Sequence, residues 1–62
     1  MSQLCELQID LRELLMDLEI AAASMRMIQA RGVNMQAPLT QIAEAAQAVS
    51  IAMDELVVKQ QA

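Results

Sequence analysis

One glycine and one proline punctuate this chain of 62 residues, and they stand close together near its middle, at Gly32 and Pro38. A chain with so few breakers can turn back on itself once. An all-β fold needs several turn signals along the chain, and beyond this pair they are almost absent. Phe, Tyr and Trp are absent, so the large core residues are Leu, Ile, Val and Met, all of which pack in helices. At 56% apolar and 19% charged, the chain is too hydrophobic to stay disordered. The fold class read from these features is all-α, a single domain over residues 1–62.

The stretch before the break carries a heptad line. Leu4, Leu7, Leu11, Leu14, Leu18, Ala21, Met25 and Ile28 alternate steps of three and four, the pattern of a coiled-coil seam. Leu15 and Ala22 widen it. Ser2 is the candidate N-cap, and Glu6 places a negative charge near the positive helix end. The segment IQARGVN reads as a stop. Gly32 takes the left-handed turn, Val33 packs back on Ile28, and Arg31 lies near the negative pole. Helix 1 is therefore expected over about 3–31.

The connection spans about 32–37, with Asn34 as a candidate N-cap. Pro38 suits a first turn because its missing amide would have no partner there. Helix 2, about 38–60, shows Leu39, Ile42, Ala46, Val49, Met53 and Leu56 at the same spacing, with the final QQA fraying. A connection this short returns the second helix antiparallel to the first. A lone hairpin buries too little apolar surface for its length, and no disulfide framework or metal cluster compensates. The expected remedy is a homodimer, a four-helix bundle whose core and dimer seam uses Leu7, Leu11, Leu14, Leu18, Ile42, Val49, Met53 and Leu56.

A second apolar set falls outside that seam. Ile9, Met16, Ile20, Ala23 and Met27 lie on the opposite side of helix 1, and helix 2 carries Ala45, Ala48, Ile51, Ala52 and Val58. An aligned exposed stripe points to an interaction surface. It can serve self-association or receive a helix of another protein. It can also be incidental, since Met and Ala favour helix whatever they face. Met25, Met27 and Met35 gather near the bend, where thioethers suit either gap-filling or an adaptable surface. The small residues of helix 2 allow close backbone approach. Glu6, Asp10, Glu13 and Asp17 run along one side of helix 1 as a solvated acidic face.

The same residues exclude several functions. The net charge is −4 and the four basic residues are scattered, which argues against nucleic-acid binding. No run reaches the length of a membrane span. The start, MSQLCELQIDLRE, places acids where a signal peptide has a basic region, and cytoplasmic residence is expected. Lone Cys5 fits a reducing compartment and reads as a small, partly buried residue. With no His, Tyr or Gly-rich loop, no catalytic, cofactor-binding or metal-ligating set is assigned. The leading reading is a non-catalytic regulator, antagonist or adaptor that binds a protein through Ile9, Met16, Ile20, Ala23 and Met27. The alternatives are a purely structural homo-oligomerisation unit or a secretion-type co-chaperone.

Overall fold

A computed structural model describes residues 3–61. Helix α1 runs Gln3–Ala30 and helix α2 runs Gln36–Gln61. The chain measures 48 × 18 × 10 Å. Its 28-residue α1 alone spans about 42 Å at 1.5 Å per residue. The short connection and the modest total length leave α2 one course, back along α1. The molecule is an antiparallel hairpin.

The bend is built from local hydrogen bonds. Gly32 has φ of 102°, a conformation that side chains with a Cβ rarely adopt. Its amide donates to the Gln29 carbonyl at 3.0 Å, and the Arg31 amide donates to the Ile28 carbonyl at 3.0 Å. Val33 stays 53% exposed, so the expected packing of Val33 on Ile28 brings it little burial. Arg31 follows the last helical residue instead of standing in the last turn.

Helix α2 starts two residues earlier than its sequence suggests. The Leu39 amide donates to the Met35 carbonyl at 3.0 Å, which makes Met35 the cap. Asn34, one residue before it, accepts the Gln36 amide on Oδ1 at 3.0 Å. Pro38 therefore lies inside the first turn, where amides lack helical partners in any case. The candidate cap Ser2 lies outside the described residues.

The seam between the helices follows one of two lines open to it. On α2, Leu39, Ile42, Ala46, Val49, Met53 and Leu56 are all half-buried, as their spacing predicts. On α1 the covered residues are Leu4, Gln8, Leu11, Leu15, Leu18, Ala21, Ala22 and Met25. Leu7, Leu14 and Ile28, expected in the seam, remain 48%, 45% and 41% exposed. The cause is geometric. Leu4, Leu11, Leu18 and Met25 can pair with Leu7–Leu14–Ala21–Ile28 on one flank or with Gln8–Leu15–Ala22 on the other, and both pairings obey the heptad rule. The hairpin uses the second. Ala22, at 8% exposure the one buried residue among those described, lines a groove with Ile42 and Ala46 of α2.

Candidate interaction surface

The outer stripe of α1 is open along its length. Ile9, Met16, Ile20, Ala23 and Met27 are all exposed, and the four large ones range from 51% to 64%. At about 100° per residue they sit roughly 150° around the helix from the seam. Ile9 to Met27 covers about 27 Å of axis. Glu13 and Asp17 border the stripe on one edge, Arg12 and Glu19 on the other. Met16, Ile20, Ala23 and Met27 keep i, i+4, i+7 and i+11 spacing, so they form one ridge.

Helix α2 does not match it. Of the second set predicted there, Ala45 and Ala52 are half-buried at the seam edge, and Ala48, Ile51 and Val58 are exposed. Ile51 and Val58 form a small apolar patch closed in by Asp54, Glu55 and Lys59. Towards the bend, the same line carries Thr40, Glu44 and Gln47. The two outer faces are therefore unequal, one a ridge continuous from Met16 to Met27 with Ile9 beyond Arg12 and Glu13, the other a local patch.

The seam residues divide. Leu11, Leu18, Ile42, Val49, Met53 and Leu56 come together between the helices, while Leu7 and Leu14 stand on one broad face of the hairpin beside Ile28. The other broad face holds a shallow groove of about 370 Å³, floored by Leu18, Ala22 and Ile42 and rimmed by Glu19 and Arg26. No spacing rule announced this groove, because it depends on which flank of α1 the hairpin chose. Nor did the sequence reading find the side chain that ties the bend. Gln29 Oε1 accepts the Met35 amide at 3.2 Å, linking the end of α1 to the cap of α2. A Gln near a helix end carries no distinctive signal.

Cys5 is exposed and unpaired with another cysteine, not partly buried as expected, because it points away from the seam. Of the methionines near the bend, Met25 and Met35 are half-buried and Met27 is exposed. Among the described residues no group of three or more His, Cys, Asp or Glu could hold a metal ion, and no helix is long and apolar enough to cross a membrane. No protein-family model, curated protein or solved structure matches the chain.

Proposed function

We propose that this chain is a small, non-catalytic protein-interaction module that dimerises into a four-helix bundle and binds a second protein through the outer ridge of α1. One observation carries the binding part: an apolar ridge from Met16 to Met27, exposed on a helix whose other face already packs on its neighbour. A ridge with anchors at i, i+4, i+7 and i+11 suits helix-in-groove docking or completion of a bundle. Cytoplasmic residence and a regulator, antagonist or adaptor role fit the acidic surface and the free thiol.

Surface area supports the dimer. The hairpin exposes 4817 Å², whereas a compact monomer of 6.8 kDa exposes about 3,950 Å². The excess of about 870 Å² matches the roughly 800 Å² that each partner buries in an interface of standard size. The same excess favours a second reading, a structural unit that uses both faces for self-assembly.

Affinity capture with the intact chain and with Ile20→Asp separates the two. The binding reading expects a stoichiometric protein partner that is lost with Ile20→Asp while helicity is kept. An identical capture pattern from both chains contradicts it.

A further inference from the structure

We propose that the second copy covers the broad face bearing Leu7, Leu14, Ala21 and Ile28, with the two hairpins antiparallel and their bends at opposite ends. This rests on the dimer reading and adds the face and the orientation.

The face follows from the unused half of the heptad pattern. Leu4, Leu11, Leu18 and Met25 are shared by two overlapping seams, and α2 occupies only one. The other keeps Leu7, Leu14 and Ile28 at 41–48% exposure, each stepping by seven through Ala21. Helix α2 brings Ala45, Ala48 and Ala52 to the same face, small enough for another helix to approach. Among the large apolar residues described as exposed, the opposite broad face offers only Val57, at 40%.

The register has a two-fold centre. Turning one hairpin over about an axis perpendicular to its helices lays α1 antiparallel on the partner's α1, and α2 on the partner's α2. With the axis midway between Leu14 and Ala21, Leu14 faces the partner's Ala21 and Leu7 faces the partner's Ile28. Large residues thus meet small ones near the centre, as interdigitation requires. The midpoint of Ala45 and Ala52 is the matching centre in α2. Counting equal numbers of residues from Ala30 and Gln36, where the helices end and begin, reaches both centres. A single axis therefore serves both helices, as an isologous interface needs.

Charge selects the same orientation. The open half of the hairpin holds Glu6, Asp10, Glu13, Asp17, Asp54 and Glu55 against Arg12 and Lys59, which is the chain's entire net charge of −4. The half at the bend balances Glu19 and Glu44 against Arg26 and Arg31. Parallel stacking sets the two charged halves against each other at about one helix spacing, roughly 10 Å, where screening is incomplete. Antiparallel stacking sets each charged half against a neutral one. It also brings the two Asp17 carboxylates level near the axis, at the solvent-exposed rim, where the repulsion of such a pair is small.

Cys5, the sole cysteine, is exposed and on the far side of α1 from this face, so it accepts a spin label without disturbing the pairing. Pulsed dipolar spectroscopy on the labelled chain is expected to give a distance of about 40 Å, from the height of Cys5 above the axis at 1.5 Å per residue. A distance below about 30 Å, the range for labels at the same end, overturns the orientation while leaving the dimer. No distance together with a monomer mass overturns the dimer reading itself. Leu14→Gln is expected to abolish the long distance and Val57→Gln to preserve it; the reverse result overturns the face.

Discussion

The two helices of the hairpin are of similar length, yet they are not equivalent. Helix α2 has one apolar line, spends it on α1, and is otherwise small or polar apart from Val57 and the patch at Ile51 and Val58. Helix α1 has three: the line covered by α2, the flank of Leu7, Leu14 and Ile28, and the outer ridge from Ile9 to Met27. A helix needs only one stripe to hold a hairpin together. The proposed interaction is placed on α1 because of this surplus.

Substitutions that treat the helices alike should break that comparison if it is wrong. The largest effect is expected at the shared seam, where the helices are equivalent. Leu18→Asp and Ile42→Asp each bring a charge into the covered line and should each cost about 3 kcal/mol or more. Loss of the helical signal in circular dichroism checks this, and retained helicity in either would mean that the seam is misassigned. Next come the outer faces, where the helices should differ. Ile20→Asp and Ile51→Asp are both expected to shift stability by no more than about 0.5 kcal/mol. Only Ile20→Asp should abolish partner capture. Loss of capture by Ile51→Asp alone would move the binding surface to α2.

Smaller effects lie at the bend. Gly32 has φ of 102° with open space where a Cβ would stand. Gly32→Ala is therefore strained by conformation alone and should cost about 1 kcal/mol in denaturant melts. Gln29→Ala removes the acceptor for the Met35 amide, which can turn to water, and about 0.5 kcal/mol is expected. A larger loss for Gln29→Ala than for Gly32→Ala would show that the side-chain link, not the glycine, holds the turn.

How far the sequence could be read depended on how many solutions each pattern allowed. Helix α2 presents one heptad line, and every residue predicted in it is half-buried. Helix α1 presents two lines that share Leu4, Leu11, Leu18 and Met25, and periodicity cannot rank them. Leu7 and Leu14 were therefore expected in the seam, and Leu15 and Ala22 only at its margin. The choice between flanks depends on pairing across the bend, which no local rule contains; it leaves Ala22 lining one groove with Ile42 and Ala46. The bend itself was legible through Gly32 and Pro38, whose backbone limits act locally. The start of α2 moved by two residues because Pro38 is tolerated anywhere in the first turn. The outer ridge was legible for the opposite reason: it needs no partner in the chain, only exposure.

The central claim is that the hairpin pairs with itself and leaves the ridge of α1 free. Light scattering with refractive-index detection tests it most directly, since the chain has no aromatic residue for ultraviolet detection. Across a dilution series, the expected mass is twice the 6.8 kDa of the chain, unchanged by Ile20→Asp. A monomer, or a larger species that Ile20→Asp reduces to a dimer, would contradict the claim.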